Sequence, residues 1–210
     1  MDLSFYILIG AVIGSRLFYV FTDLGTFISD PLEFFRFWNG GLVFYGGFIM
    51  AVIVAMIYIK KTGMSLWQTA DIMAPGLVAG QAIGRIGCFF AGCCYGKACN
   101  LPWAITFNNP DSLAPQGIPL HPTQLYEVFS NLSIFVVLWL LRKKIRFHGQ
   151  LFWLYVMLYG ITRSIVEKYR GDFRGEVIFN IFSISQVIGI SMAVVAAIML
   201  IRLSKKRLEE

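Results

Sequence analysis

The chain has 210 residues, of which 57% are hydrophobic and 14% are charged. A soluble domain of this length could not hide so much apolar surface, so the composition excludes an ordinary soluble protein. The formal net charge of +6 does not indicate a nucleic-acid partner, because the basic residues gather at the ends of apolar segments. We therefore predict a single transmembrane domain over residues 1–210 that binds membrane lipids and no nucleic acid.

Six apolar segments are each long enough to cross a bilayer as an α-helix, which takes about 20 residues. They cover residues 3–22, 42–59, 70–92, 123–141, 150–168 and 178–201. The predicted fold is therefore an all-α integral membrane protein. It is a polytopic helical bundle of about six transmembrane helices with a longer extracytoplasmic loop.

The basic residues set the predicted orientation. They follow the second, fourth and sixth segments, at Lys60, Lys61, Arg142, Lys143, Lys144, Arg146, Arg202, Lys205, Lys206 and Arg207. Since Lys and Arg concentrate on the cytoplasmic side, both termini are predicted to be cytoplasmic. The loops 23–41, 93–122 and 169–177 then face outward. The longest of them, 93–122, carries Trp103 and Phe107 among turn-forming residues, so we expect it at the outer interface in a functional role.

Two arginines interrupt the apolar segments. Arg85 lies in the third and Arg163 in the fifth. A charge near the bilayer centre costs about 2.5–3.5 kcal/mol on insertion scales, so each side chain should face the bundle interior and have a partner. The planar guanidinium can also bind a phosphate with two parallel hydrogen bonds. The pair therefore predicts a site for an anionic lipid headgroup.

Glycines accompany Arg85 in the third segment. Gly80, Gly84 and Gly87 make this segment look irregular, and bare backbone beside a guanidinium is a candidate anion cradle. The alternatives are a helix-packing face and a structural ion pair of Arg85 with Asp71 or Glu127.

The fifth segment carries a polar stripe. Tyr155, Tyr159, Arg163 and Glu167 follow one another at i+4 spacing, and Arg170 extends the row by three. Helical geometry places them on one face, where Arg163 and Glu167 can pair. The stripe is either a self-neutralising pair lining the bundle or part of a site, and we favour a site.

Two further candidates lie at the outer ends of segments. His121 precedes Pro122 at the mouth of the fourth segment, and Gln124 and Glu127 follow on one helical face. Tyr45 lies between two Gly-Gly pairs at the start of the second segment, where its hydroxyl can point into a cavity. The simpler interpretations are a structural histidine and an interfacial tyrosine.

Four cysteines, Cys88, Cys93, Cys94 and Cys99, fall within twelve positions. Their spacing is not a usual metal pattern, because adjacent Cys93 and Cys94 should point differently. We rank a disulfide or unreactive small residues first, thiol redox chemistry second and a metal third. A metal is therefore the least favoured role for these cysteines.

Taken in order, these elements resemble the prolipoprotein diacylglyceryl transferase family over nearly the whole chain. The matching elements are Asp30-Pro31 through Arg36 and Trp38, Gly40-Gly41 to Gly46-Gly47, Asp71 through Pro75, Gly84-Arg85-Ile86-Gly87 through Gly92 and Gly96, His121-Pro122-Thr123-Gln124-Leu125-Tyr126-Glu127, and Tyr159-Gly160, Arg163, Glu167 and Arg170. Members of the family usually begin with one further span, so this chain starts at what resembles their second.

The resemblance implies a reaction. The family transfers the diacylglyceryl group of phosphatidylglycerol to the lipobox cysteine thiol of a prolipoprotein and releases glycerol 1-phosphate, at the outer face of the bacterial inner membrane. The resemblance also implies that no metal and no other cofactor is needed. Arg85, Arg163, His121 and Tyr45 are then the expected catalytic residues. The expected substrate-binding residues are Arg85, Gly84, Gly87, Gln124, Glu127, Tyr159, Glu167 and Arg170. His121, Glu127 and Tyr45 are the alternatives for the group that removes the thiol proton.

Besides the missing first span, the chain departs from the family pattern in two places. Cys88 stands where the family signature has Asn, and Ala91-Gly92-Cys93 stands where it has Asn-Gly-Glu. Tyr45 stands where members often have a catalytic His. Two alternatives follow from these departures. One is a membrane thiol–disulfide oxidoreductase that uses the Cys88–Cys99 cluster. The other is a non-catalytic lipid-binding paralogue.

Overall fold

The computed structural model describes residues 2–25, 41, 43–172, 177–178 and 182–209. Six long helices occupy most of these residues: α1 Asp2–Thr22, α2 Phe44–Thr62, α3 Leu66–Ala91, α4 Thr123–Leu141, α5 Gln150–Glu167 and α6 Ile184–Glu209. Two short antiparallel pairs accompany them: β1 Ile105–Thr106 with β2 Pro119–Leu120, and β3 Val177–Ile178 with β4 Phe182–Ser183. The predicted all-α polytopic membrane fold is confirmed.

Five of these six helices are long and apolar enough to cross a membrane, namely α1, α2, α3, α4 and α6. The fifth predicted segment also forms a helix, α5, but it does not reach the same apolar composition. Its polar stripe lowers its hydropathy. Arg163 and Glu167 therefore make α5 a helix that depends on partners within the protein.

The structure differs from the prediction mainly in α6 and α3. The α6 helix begins at Ile184 rather than near 178, because Val177 and Ile178 pair with the chain just before the helix. It also continues to Glu209, since lysine, arginine and leucine favour helix beyond the apolar part. The third segment, expected to be irregular, is one continuous helix that contains Pro75.

The chain divides into two compact units, Met1–Leu66 and Trp67–Glu210. In the first unit, α1 and α2 pack along each other through glycines. A Cβ atom at Gly46 would lie 2.5 Å from the backbone oxygen of Gly14. Such contact between backbones is how small residues drive helix pairing in membranes. Arg16 of α1 is buried in this unit.

In the second unit, α3, α4 and α5 share a hydrophobic core. Its buried members are Ala74, Val78, Ile134, Leu138, Leu151 and Tyr155. The α6 helix packs along α5, where a Cβ atom at Gly160 would collide with the backbone oxygen of Gly189. Packing on three sides holds α5 and its polar stripe inside the unit.

Asp71 of α3 fixes the beginning of α5. Its carboxylate accepts hydrogen bonds from the backbone N–H groups of Gly149 (2.6 Å) and Phe152 (2.9 Å). A helix N-terminus has unpaired N–H groups and a partial positive charge, so a carboxylate stabilises it. Asp71 therefore caps a neighbouring helix, and the suggested ion pair of Asp71 with Arg85 is not formed.

The loop between α3 and α4 is tied into the fold by backbone pairing. Gly96 pairs with Arg170 and Ala98 with Leu120, both antiparallel. Supporting hydrogen bonds run from Lys97 N to the Tyr169 carbonyl (2.8 Å) and from Gly96 N to the His121 carbonyl (3.0 Å). This pairing brings together the end of α3, the beginning of α4 and the chain that follows α5.

Candidate active site

The arginines of α3 and α5 meet at one buried carboxylate. Glu127, in the first two turns of α4, lies with its Oε2 2.5 Å from Arg85 Nε, although without the angle of a hydrogen bond. Its Oε1 accepts a hydrogen bond from Arg170 Nη1 at 3.2 Å and lies 3.7 Å from Arg163 Nη1. Three guanidinium groups therefore converge on one side chain. This is the arrangement expected if the arginines of α3 and α5 contribute to the same site.

A second layer of carboxylates surrounds these arginines. Arg163 pairs with Glu167 one turn later in α5, and Arg170 Nε lies 3.8 Å from the same carboxylate. Asp172 accepts two hydrogen bonds from Arg170, at 2.9 and 2.7 Å. Ser183 Oγ, at the start of α6, donates to Glu167 at 3.3 Å. We call Arg85, Glu127, Arg163, Glu167, Arg170 and Asp172 the arginine network.

The arginine network is balanced in charge. Its three guanidinium groups and three carboxylates give 3 − 3 = 0 among the described residues. Glu127, Arg163 and Arg170 are buried, and balance removes the cost of isolated charges in a low dielectric. An anion that enters would compete with the carboxylates for the guanidinium groups, so the network is suited to exchange of partners.

Arg170 keeps its charge despite burial. Burial disfavours the charged form, but the two hydrogen bonds to Asp172 outweigh it and raise the pKa of Arg170 above its ordinary value. The guanidinium is thus a permanent cation beside Glu127. Asp172 was not predicted as part of the site. Its position two residues after Arg170 was the available signal, because so short a spacing allows both oxygens to reach one guanidinium.

The predicted anion cradle on α3 is wrong in its backbone part. Gly84 and Gly87 lie inside a continuous helix, where N–H groups bond to carbonyls four residues earlier. The space beside them is nevertheless open to the described part of the chain, none of which, apart from the adjoining backbone of α3, would lie within 4 Å of a Cβ atom at either glycine. The two glycines therefore offer room next to Arg85 rather than hydrogen-bond donors.

His121 lies among aromatic rings and not in the arginine network. Its Nδ1 is 3.1 Å from the Tyr126 hydroxyl, which also accepts a hydrogen bond from Trp103 Nε1 at 2.9 Å. The ring of Tyr169 lies 5.2 Å from the His121 ring. Among the described residues, His121 Nε2 makes no hydrogen bond, whereas Nδ1 contacts the Tyr126 hydroxyl.

The inner face of α4 carries further polar groups beside Glu127. Gln124 is almost fully buried and donates to the Cys93 carbonyl at 2.8 Å, while its Oε1 has no partner among the described residues. Asn131 is also buried, with Nδ2 unpaired within the described part of the chain. Asn131 was not predicted, although its spacing of four residues from Glu127 places it on the same face.

The remaining predicted site residues are placed separately. Tyr159 is on the polar stripe of α5, with its ring 6.0 Å from that of Tyr155. Tyr45 is in the first turn of α2, in the first unit, with 71% of its surface exposed. Its predicted role stays a prediction. The family-like residues from Asp30 to Gly40 lie outside the described residues.

Three of the four cysteines form a cluster. The Sγ atoms of Cys88, Cys93 and Cys94 all lie within 4.8 Å of one another, and no disulfide joins the cysteines of the described chain. The expectation that Cys93 and Cys94 point apart is wrong. Cys94 has a φ of 61°, a left-handed conformation that redirects its side chain. Burial, with the neighbouring thiols, raises the pKa of Cys93 to about 12.

A large cleft in the second unit lies away from the arginine network. It measures about 930 Å³ and is lined by Trp67, Asp71, Trp139, Arg142 and His148 among others. These residues belong to the beginnings of α3 and α5 and the end of α4. The network occupies the opposite ends of the same helices. His148 is exposed there.

The fold and the arginine network define a polytopic α-helical membrane protein whose buried charges meet at one end of three helices. The family model of prolipoprotein diacylglyceryl transferase matches residues 1–202, and the chain belongs to this family.

Individual relatives agree with this membership. The chain is 41% identical to the phosphatidylglycerol–prolipoprotein diacylglyceryl transferase of Clostridium tetani, over 87% of this chain and 72% of that protein. It is 36% identical to the protein of the same name from Pseudomonas fluorescens, over 92% of this chain and 72% of the relative. It is also 36% identical to the protein of that name from Pseudomonas entomophila, over 98% of this chain and 77% of the relative. The predicted family is therefore confirmed.

Proposed function

We propose that this protein transfers the diacylglyceryl group of phosphatidylglycerol to the lipobox cysteine thiol of a prolipoprotein and releases glycerol 1-phosphate. The observation that carries the proposal is the convergence of Arg85, Arg163 and Arg170 on Glu127. The names of the relatives, which state phosphatidylglycerol and prolipoprotein, support the choice of substrates. No cofactor is needed for this reaction.

The arginines act on the leaving group. The thiolate sulfur attacks the glyceryl carbon, a carbon–sulfur bond forms, and the carbon–oxygen bond to the phosphate breaks. The electron pair stays on the phosphate oxygen, so negative charge grows there. Arg85 and Arg163 stabilise this charge in a low-dielectric site. Glu127 and Glu167 hold the guanidinium groups in place beforehand, and the phosphate takes over part of their hydrogen bonding.

His121 is the proposed acceptor of the thiol proton. Both oxygens of Glu127 already contact guanidinium groups. His121 instead has Nε2 without a hydrogen bond to the described residues, and its Nδ1 is held by Tyr126. A fixed imidazole with one unengaged nitrogen is suited to general-base catalysis. Tyr159 and Gln124 are proposed to contact the lipid or the peptide, with Gly84 and Gly87 leaving space for it.

The protein is proposed to lie in the bacterial inner membrane with its C-terminus in the cytoplasm. The network lies at the end of α3, the beginning of α4 and the end of α5. If successive helices alternate in direction across the membrane, these three ends belong to one side. Basic residues gather at the other ends of these helices. The side with fewer basic residues is the outer side, where prolipoproteins present their lipobox cysteine.

An assay with purified protein in lipid nanodiscs tests the proposed function. Phosphatidylglycerol and a lipobox peptide are supplied, and both the thioether product and glycerol 1-phosphate are measured. Stoichiometric formation of both products supports the proposal. Binding of phosphatidylglycerol without either product would instead favour a non-catalytic lipid-binding paralogue.

The variant Arg163→Lys tests the role of the guanidinium. Lysine keeps the charge but loses the planar pair of donors, so we expect transfer to fall by at least about tenfold, which corresponds to ~1.4 kcal/mol in the transition state. Arg142→Lys is the matched control, because Arg142 is exposed and belongs to the turn after α4. Equal activity of the two variants would show that charge alone suffices.

A further inference from the structure

The cysteine cluster has the geometry of a metal site. Cys88 lies in the last turns of α3, and Cys93 and Cys94 follow the end of that helix. Their three Sγ atoms lie within 4.8 Å of one another. Sulfur ligands around one small ion sit at similar separations, because each metal–sulfur bond is about 2.3 Å long. Only small side-chain rotations would place an ion among them.

The backbone that carries the cluster is held from α4. Thr123 Oγ1 donates to the Cys94 carbonyl and Gln124 Nε2 to the Cys93 carbonyl, both at 2.8 Å. Thr123 and Gln124 are almost fully buried. The left-handed conformation of Cys94 turns its thiol to the same side as that of Cys93. A rigid supporting shell of this kind orients ligands before a metal arrives.

One neighbouring cation favours thiolates in the cluster, against the burial that raises the pKa of Cys93. Arg85 Nη1 lies 3.6 Å from Cys94 Sγ. When three thiols bind a divalent ion they release three protons, and the resulting centre carries one net negative charge. The adjacent guanidinium offsets that charge. Soft thiolate ligands select Zn²⁺ and Cu⁺ over harder ions such as Mg²⁺ or Ca²⁺.

We propose that Cys88, Cys93 and Cys94 form a binding site for one thiophilic metal ion, Zn²⁺ or Cu⁺, beside the arginine network. Three thiolates leave a position for a fourth ligand on Zn²⁺ and are a sufficient set for Cu⁺. The site is separate from the transfer reaction, which uses no metal. Its existence therefore does not depend on the proposed function.

The test uses full-length protein, purified with reductant and freed of metal by a chelator. Zn²⁺ or Cu⁺ is then added in competition with a coloured chelator of known affinity, and bound metal is counted by mass spectrometry. We expect one ion per chain for at least one of the two metals. Failure of both metals to bind the reduced protein would overturn the proposal. A disulfide among these three cysteines that persists in the presence of reductant would also overturn it.

A matched pair of variants locates the ion. Cys93→Ser removes one ligand of the cluster, whereas Cys99→Ser changes a cysteine outside it. We expect at least a tenfold loss of affinity from Cys93→Ser and an unchanged affinity from Cys99→Ser. Equal affinities of the two variants would contradict the assignment.

Alkylation of the unmodified protein gives a reading that does not depend on how the variants fold. Bound metal should protect Cys88, Cys93 and Cys94 from a maleimide while Cys99 is labelled at the same rate with and without metal. Peptide mass spectrometry resolves the four sites. Protection of Cys99 alone, or of none of the four, would exclude the cluster as the binding site.

Discussion

Glu127 illustrates how one residue can organise an intramembrane site. Three guanidinium groups contact it, and its side chain is nearly inaccessible. Replacing a buried ion pair completely can be neutral, but removing one partner leaves a buried charge without compensation. The carboxylate is therefore needed both for folding and for keeping Arg85, Arg163 and Arg170 close together.

We expect Glu127→Gln to destabilise the protein by about 3–5 kcal/mol, because the amide keeps the shape but leaves an excess of one positive charge in the network. Thermal unfolding in detergent and the transfer assay both measure the effect, and both should show a large loss. Asp111→Asn is the control, since Asp111 is exposed. A Glu127→Gln variant as stable as this control would show that the network tolerates an unbalanced charge.

The cysteines are expected to be dispensable for the transfer reaction. The acceptor thiol belongs to the prolipoprotein, so no step consumes a thiol of this protein. A variant with all four cysteines replaced by serine should keep most of its activity under both reducing and oxidising conditions. Loss of transfer from a variant that still inserts and folds would give weight to the oxidoreductase alternative.

At the scale of the helices, the sequence predicted which segments are helical better than it predicted their boundaries, their continuity or the short strands between them. Apolar length was sufficient for all six helices, since a bilayer imposes that length. The short strands were missed because each has only two residues, too few to show an alternating pattern. The continuous α3 was also missed. Glycine weakens helices in water, but within a membrane an unpaired backbone group costs more than the glycine does.

Glycine contacts between helices give a direct test of packing. A Cβ atom at Gly160 would collide with the Gly189 carbonyl of α6, so we expect Gly160→Ala to cost about 1–3 kcal/mol, as overpacking usually does. Gly76→Ala is the matched control, because it faces open space. It should be neutral or stabilise by up to about 1 kcal/mol through helix propensity. Thermal unfolding of both variants in detergent measures the two changes in stability. A neutral Gly160→Ala would mean that α5 and α6 separate at little cost.

The sequence predicted most residues of the candidate site, but few of the contacts between them. Arg85, Arg163, Glu127, Glu167 and Arg170 were all named from their positions in apolar or helical patterns. The sequence left Asp71 and Glu127 open as partners of Arg85. The choice between them depends on which end of α3 faces which helix. Asp172 and the cysteine cluster depend on loop conformation, which local sequence rules do not determine.

For the whole molecule, the arrangement of basic residues predicts a cytoplasmic C-terminus. A reporter that is active only outside the cytoplasm, such as alkaline phosphatase, should be inactive after Lys205 and active when inserted in the loop at Asp111. A fluorescent protein that folds only in the cytoplasm should give the reverse pattern. Activity of the phosphatase at the C-terminus would invert the topology and place the arginine network on the cytoplasmic side.

The convergence on Glu127 also has a consequence for how the protein is made. Translation delivers Arg85 with α3 before Glu127, its carboxylate partner in α4, exists. Arg163 and Arg170 come later still, with their own acidic neighbours. The nascent chain thus carries an uncompensated charge until α4 is synthesised, and the insertion machinery has to retain α3 at its lateral exit until then. Truncation between α3 and α4 should leave a fragment that quality-control proteases remove.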